Sequence, residues 1–427
     1  QEDQRGQFKL SLRTLTFSIV FMKISAIEFS FSYTLKTLIK NSNQKMKSKL
    51  EASTTIFHTM TELANKHKAI NLSQGFPGFN PDKRLLNMVS DFVHGDNNQY
   101  APMSGVPELR ASISKKIEKY YGRKIHTDDE VTVTDGATEA LFSVIMTVIH
   151  QGDEVIVFDP AYDNYEPAVI LAGGITKHVP LIKSQDNPDY HIDWQILKDS
   201  INKKTKLIIL NFPHNPTGAI LRKSDLKELA EVLTKNNIYI MSDEVYEHIV
   251  FDENRHHSLA SHDDLWSRSF VISSFGKTFH ATGWKIGYCI APKKLTDEMR
   301  LIHQWSCYSV VTPIQLAIAK FMHTYPEYID TLSDFYESKR DLFCNLLEKS
   351  NFNFRPSAGS FYQLLDYSQI SKEKDVIFAE KLTKDIGVAS IPISVFYGNP
   401  PNEQKLRFCF AKDDSVIEEA AKRLCSL

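Results

Sequence analysis

A large, mostly parallel α/β sheet joined to a smaller α+β part is the fold class that this 427-residue sequence predicts, on three observations. Seven short β-branched runs are spaced so that a helix fits between most neighbours. The runs are continuously apolar rather than alternating, as strands covered on both faces are. After about Pro313 the pattern changes to long helical stretches and one late strand.

The seven runs are 131–134 (VTVT), 155–158 (VIVF), 175–179 (ITKHV), 207–211 (LIILN), 238–242 (IYIMS), 270–274 (FVISS) and 286–290 (IGYCI). Between two of them, 224–235 (SDLKELAEVLTK) opens on Ser or Asp and carries apolar residues at helical spacing. Residues 313–350 read as helix, 406–410 (LRFCF) as a strand and 415–424 as a closing helix. The expected division is a seven-stranded large domain at 86–313 and a small α+β domain from 49–85 and 314–427. Residues 1–48 are expected to be a poorly ordered or non-native extension. Their apolar stretch 14–22 is stopped by Lys23, well short of the ~20 residues a membrane helix needs. Lys9 and Arg13 before it faintly resemble a signal peptide, but no convincing cleavage site follows.

Lys and Arg number 50 against 52 Asp and Glu, so no basic surface argues for nucleic acid and no acidic excess argues for disorder. The five cysteines, Cys289, Cys307, Cys344, Cys409 and Cys425, form no C-x-x-C. That is neither a disulfide framework nor a zinc site, and a reducing, cytoplasmic compartment fits best. None of the 15 histidines falls in an H-E-x-x-H, so no metal is expected.

In a parallel sheet, functional residues belong at the carboxyl ends of strands. Five such ends carry chemistry. The segment 273–288 (SSFGKTFHATGWKIGY) places Ser274 and Lys277 on a turn with Gly276, and Lys285 nearby. A lysine there suits a Schiff-base nucleophile, its amine drawn down from about 10.4 by burial and neighbouring cations. A P-loop is excluded because position 271 is Val. A serine acylase using Ser274-x-x-Lys277 lacks its S-D-N and K-T-G companions. The turn 211–218 (NFPHNPTG) presents the amide of Asn215, and 242–251 (SDEVYEHIVF) presents Asp243 with Tyr246 three residues on. Asp243 taken alone reads more readily as a helix cap. At 132–142 (TVTDGATEALF) a strand runs into Gly136, Ala137 and Thr138 at a helix start, an anion site. At 158–167 (FDPAYDNYEP), Tyr162 follows a strand and can pack or stack on a planar ring. An anion nest, an aromatic ring, an amide, an acid with a phenol, and a lysine together match the needs of pyridoxal 5'-phosphate.

These motifs resemble those of the class I pyridoxal-phosphate aminotransferases of fold type I. The resemblance runs from about Thr54 to Leu427 through INLSQGFPGF, NQYAPMSGVPELR, DGATEAL, NPTG, SDEVYEH, SSFGKTFHATGWKIGY and LRFCFAK, in family order. Within the class, TTIFHTM, YDNYEPA and SSFGKTFHATGWK are most similar to methionine aminotransferases, then to kynurenine and glutamine–phenylpyruvate transaminases.

The resemblance implies roles. Lys277 would form the Schiff base and shuttle the proton at the substrate α-carbon. Asp243 would pair with the ring nitrogen, and Asn215 and Tyr246 would bond the phenolic oxygen. Gly136, Ala137, Thr138, Ser274 and Lys285 would hold the phosphate, and Tyr162 would stack on the ring. Arg407 would grip the substrate carboxylate, beside Asn215 and the Gly75 backbone N–H. A homodimer with shared sites is implied, Tyr100 reaching the neighbour's phosphate and Tyr308 lining the neighbour's pocket with Phe57. Phe57, Phe76, Tyr162 and Tyr308 are uncharged aromatics and no second arginine is evident. Methionine, aromatic amino acids, glutamine or kynurenine are therefore expected as donors rather than aspartate. Gly78 departs from the Asp that many relatives carry. A β-C–S lyase of the same fold is one alternative. A non-catalytic regulator built on this domain is another, weakened because the extension is too short for a helix-turn-helix module.

Overall fold

All seven runs become strands of one sheet, and the reason for the hydrophobicity of the central ones is visible in how their residues are shared out; β4, next to the sheet edge, is half-exposed and carries Thr176, Lys177 and His178. The computed structural model describes Leu50 and residues 55–184, 186–401 and 403–427; the extension expected at 1–48 lies outside the described residues. The elements all belong to one compact unit, Ser53–Leu427.

Along the chain the strands are β1 (Ile70–Asn71), β2 (Val131–Asp135), β3 (Glu154–Asp159), β4 (Ile175–Ile182), β5 (His191–Ile192), β6 (Thr205–Asn211) and β7 (Tyr239–Asp243). Next come β8 (Ser269–Ser274), β9 (Ile286–Ile290), β10 (Tyr362–Asp366), β11 (Val388–Ala389), β12 (Ile391–Pro392) and β13 (Lys405–Cys409). The large sheet has the order β2-β9-β8-β7-β6-β3-β4-β5. It has eight strands where seven were expected. The addition, β5, is a two-residue strand antiparallel to β4 at the sheet edge, too short to leave a periodic signal.

Alternate residues of the central strands feed two different cores. Val155, Val157, Leu207, Ile209, Met241, Phe270 and Ile272 pack on one face, with Ala140, Leu141, Val144 and Ile145 of the helix Gly136–Val148. Ile156, Phe158, Ile208, Leu210, Ile240 and Val271 pack on the other, with Leu226, Leu229 and Val232 of the helix Lys223–Thr234. Each such side chain contributes about 1.5–3 kcal/mol by leaving water, and the polar residues buried among them, such as Ser242 and Ser269, are hydrogen-bonded. The latter helix starts one residue before the expected Ser, and Asp225 Oδ2 accepts the Arg222 N–H at 2.7 Å.

Strands β2, β3, β4, β6, β7 and β8 share one direction. Their carboxyl ends therefore gather Asp135, Asp159, Asn211, Asp243 and Ser274 at one edge, with Asn211 and Asp243 in register. Strand β9 runs the other way and starts at that edge, Ile286 opposite Asp135. This is how Lys285, just before it, arrives among the strand ends.

The helical stretch expected at 313–350 is divided into Thr312–Thr324 and Leu332–Leu347. Pro326 lies in the break, where its ring and missing N–H stop the first helix. A three-stranded sheet, β10-β13-β12, places Arg407 opposite both Leu364 and Ile391. The segment after β1 is tied to it: Cys409 N–H donates to Leu72 O (2.8 Å) and Gly78 N–H to Ala411 O (2.8 Å).

Candidate active site

At the carboxyl edge of the sheet lies a cavity of about 360 Å³. Its walls hold every expected site residue of the chain except Tyr100, Tyr308 and Phe76, which is exposed and does not contribute to the expected aromatic wall. Gly136, Ala137, Thr138, Tyr162, Asn215, Asp243, Tyr246, Ser274, Lys277 and Lys285 come from the ends of the large sheet. Phe57, Gly75 and Arg407 come from the other part of the chain.

The anion corner is built at the start of the helix Gly136–Val148. Gly136 has φ +67, and a Cβ there would stand 3.2 Å from Lys285 Nζ. Asp135 does not cap the helix with its side chain, so the first N–H groups and the positive end of the dipole face the cavity. Lys285, itself at φ 54, donates from Nζ to Thr138 Oγ1 at 3.3 Å.

Asp243 ends β7 and is 3% exposed. Its Oδ2 accepts the Tyr165 hydroxyl at 2.7 Å and its Oδ1 the Val245 N–H at 3.4 Å. Burial pushes its carboxyl up to about 6, against those two hydrogen bonds and the Lys277 charge. A buried carboxylate so placed is relieved by a cationic partner. Lys277, on the turn Phe275–Thr278, donates from Nζ to Gly75 O at 3.0 Å. Burial pulls its amine down to about 8, which makes the neutral nucleophile accessible near neutral pH. Asp243 and Lys277 open into the same cavity.

Arg407 is fully buried. Its Nη1 donates to Asn215 Oδ1 at 2.7 Å and its Nη2 to Ser73 O at 2.8 Å, while Nε has no partner. The guanidinium carbon lies 4.1 Å from the Tyr362 ring centroid and 5.2 Å and 5.1 Å from those of Phe57 and Phe396. These rings hold it flat through cation–π contact. The unmet Nε donor favours an incoming acceptor, since a buried unpaired N–H costs about 1–3 kcal/mol.

Several participants escaped the sequence reading. Asn211 ends β6, donates to Asp243 O (3.1 Å) and accepts the Asn215 N–H (3.0 Å), so it sets both neighbours. Tyr362 lines the cavity and its hydroxyl accepts from Tyr246 at 3.2 Å. Tyr165 holds Asp243. Gln74 lines the cavity and bonds Thr61 Oγ1 at 2.5 Å, tying it to the helix Ile56–His67. Asn211 and Tyr165 stood inside quoted motifs, but nothing local to them marks these contacts.

Tyr100 and Tyr308 lie elsewhere, ring centroids 5.7 Å apart, and are 84% and 53% exposed. They do not enter this chain's own cavity.

The family model Aminotransferase class I and II matches residues 67–424, and the chain belongs to that family. It is similar to the methionine aminotransferase of Escherichia coli (strain K12), 44% identical over 377 residues that cover 88% of this chain and 97% of the relative. It is 34% identical over 429 residues to the kynurenine–oxoglutarate transaminase of Dictyostelium discoideum, covering 92% of this chain and 99% of the relative. A crystal structure from Escherichia coli, described as that of a protein with a methionine aminotransferase function, superposes with a TM-score of 0.87. It shares 44% identity and covers 90% of this chain and 99% of its own. The chain is a transaminase of the α/β architecture that these relatives share.

Proposed function

We propose that the cavity holds pyridoxal 5'-phosphate and that the chain moves the amino group of methionine, an aromatic amino acid, glutamine or kynurenine to a 2-oxo acid. The observation that carries this reading is the shared cavity of Lys277, Asp243 and Arg407. It offers an amine with a lowered pKa, a buried acid in want of a cation, and a buried guanidinium with an unmet donor. The same cavity has a helix start with free N–H groups beside Lys285 and Ser274 for a phosphate. When bound, the cofactor supplies an aldehyde for the amino group and a protonated ring that draws electron density from the substrate α-carbon.

The chain's own residues do the rest. Asp243 would hold the proton on the ring nitrogen, its carboxylate fixed by Tyr165 and the Val245 N–H. Tyr246 and Asn215 would bond the phenolic oxygen, and Tyr162 would stack on the ring. Arg407 meets the substrate carboxylate with parallel N–H groups, beside the Gly75 N–H. That grip aims the α-C–H at Lys277 Nζ, which removes the proton and returns it on the other side of the transfer. Phe57 and Tyr362 keep that end of the pocket apolar and uncharged, which favours a thioether or ring over a second carboxylate.

A homodimer is part of this reading, with the exposed Tyr100 and Tyr308 serving the partner's cavity. So is a division into a larger part, 86–313, and a smaller part, 49–85 with 314–427, supported by where the large and small sheets draw their strands. A cytoplasmic location is supported by the five free cysteines. Among the described residues no helix is long and apolar enough to cross a membrane.

The test is a panel of amino donors, aspartate included, against 2-oxo-4-methylthiobutanoate, phenylpyruvate and glyoxylate. Methionine and aromatic donors leading aspartate supports the reading. Aspartate leading contradicts the specificity. Pyruvate and ammonia from cystathionine without any oxo acid would instead assign a lyase.

A further inference from the structure

Behind the cavity, outside its lining, lies a second buried polar cluster that the proposed chemistry does not use. Glu247 directly follows Tyr246 in the segment after β7, and its side chain is 2% exposed. Its carboxylate collects donors from three other elements. Lys116 Nζ, on the helix Pro107–Tyr121, donates to Oε1 at 2.6 Å, and Tyr121 of the same helix bonds Oε2. Ser273, next to Ser274 on β8, bonds Oε1, and the Tyr288 hydroxyl on β9 donates to it at 3.2 Å. Lys116 Nζ also lies 2.7 Å from the Tyr288 hydroxyl, and the His248 ring is 3.7 Å from Oε2.

The pair is a poor way to stabilise a fold. Both charges are out of water, and apolar replacement of such pairs is often neutral or favourable. Burial alone would raise the Glu247 carboxyl, yet Lys116 and its hydrogen bonds hold it below the usual range; the acid stays ionised and keeps its acceptors. What the cluster does fix is direction. It ties the residue after Tyr246 to the residue before Ser274, the Glu247 carboxylate bonding the Ser273 hydroxyl.

We infer that Glu247, ion-paired with Lys116, is a positioning residue that sets Tyr246 and Ser274 against the cofactor. The inference rests on the pyridoxal-phosphate assignment of the cavity. Loss of the clamp loosens the Tyr246 hydroxyl from the phenolic oxygen and Ser274 from the phosphate, while Lys277, Asp243 and Arg407 keep their own contacts.

The experiment titrates pyridoxal phosphate into full-length apoprotein, wild type and Glu247→Gln, and follows the visible absorbance of the bound cofactor against pH. Wild type that binds no pyridoxal phosphate sinks the function reading and this inference with it; a wild type that binds beside an unaltered E247Q sinks this inference alone. With wild type binding, E247Q is expected to weaken cofactor affinity about tenfold and to raise the pH midpoint of the absorbance by about one unit, as the loss of one buried hydrogen bond implies. An unchanged affinity and midpoint, with any effect confined to the melting temperature of the apoprotein, overturns it. Ser273→Ala, which removes one donor without disturbing the charges, decides the matter if E247Q does not fold. It is expected to shift both readouts the same way by a smaller amount; no shift in either overturns the inference.

Discussion

Arg407 and Asn215 share a 2.7 Å hydrogen bond, guanidinium Nη1 to amide Oδ1, although 192 residues separate them. One side chain belongs to the small antiparallel sheet and the other to the turn after β6, so a single contact links the proposed carboxylate grip to the proposed cofactor contact.

This link makes two variants separable. Arg407→Ala removes the buried cation and is expected to raise the KM for methionine by a hundredfold or more, about 3 kcal/mol for a buried charge-assisted pair. Cofactor affinity should stay within about threefold, because the Arg407 contacts are to Asn215, Ser73 and three rings. Asn215→Ala is expected to weaken both, since the amide meets Arg407 on one side and is proposed to meet the cofactor on the other. Equal losses of cofactor affinity in the two variants would contradict the assigned division.

Asp243 gives a pH dependence. Its folded pKa of about 6 lies above the ordinary 3.8 because of burial. A raised acid pKa means that the apoprotein carries the penalty of a buried anion at neutral pH and is relieved of it as pH falls through about 6. A cationic ring nitrogen removes that penalty. The rise in melting temperature on adding pyridoxal phosphate should therefore be larger at pH 7 than at pH 5. Asp243→Asn should flatten this difference; a variant with the wild-type pH trend would assign the effect to another group. Tyr165→Phe, which deletes the 2.7 Å donor, should move the trend to higher pH.

Gly75 is constrained by space rather than by its backbone angle. A Cβ there would stand 1.8 Å from the Tyr362 hydroxyl. Gly75→Ala must displace that ring from the face of Arg407, and overpacking of this kind costs about 1–3 kcal/mol. The expected result is a lower melting temperature together with a raised KM for the amino donor. A wild-type KM would show that the Tyr362–Arg407 contact does not shape the substrate site.

Locality decides which features were legible in the sequence. The strands announced themselves because both faces of the sheet are covered, and the residues at their ends were found because a parallel sheet collects carboxyl ends on one edge. Strand β5 left no pattern in two residues. Asn211, Tyr165 and Tyr362 act through partners distant in the chain, as does the Lys116–Glu247 pair, 131 residues apart, and no spacing rule marks such contacts. Nothing in the short strand 406–410 marks Arg407 locally; only the family resemblance singled it out, and the fold buries it completely. Tyr100 and Tyr308 are exposed in the single chain, where their expected roles need a second copy.

The most direct measurement of the central claim is borohydride reduction of the holoprotein followed by peptide mass mapping. Reduction locks the cofactor onto whichever amine it has condensed with. A pyridoxyl group is expected on the peptide containing Lys277 and on no other lysine. Attachment at a different lysine, or none in protein that still transaminates, would contradict it.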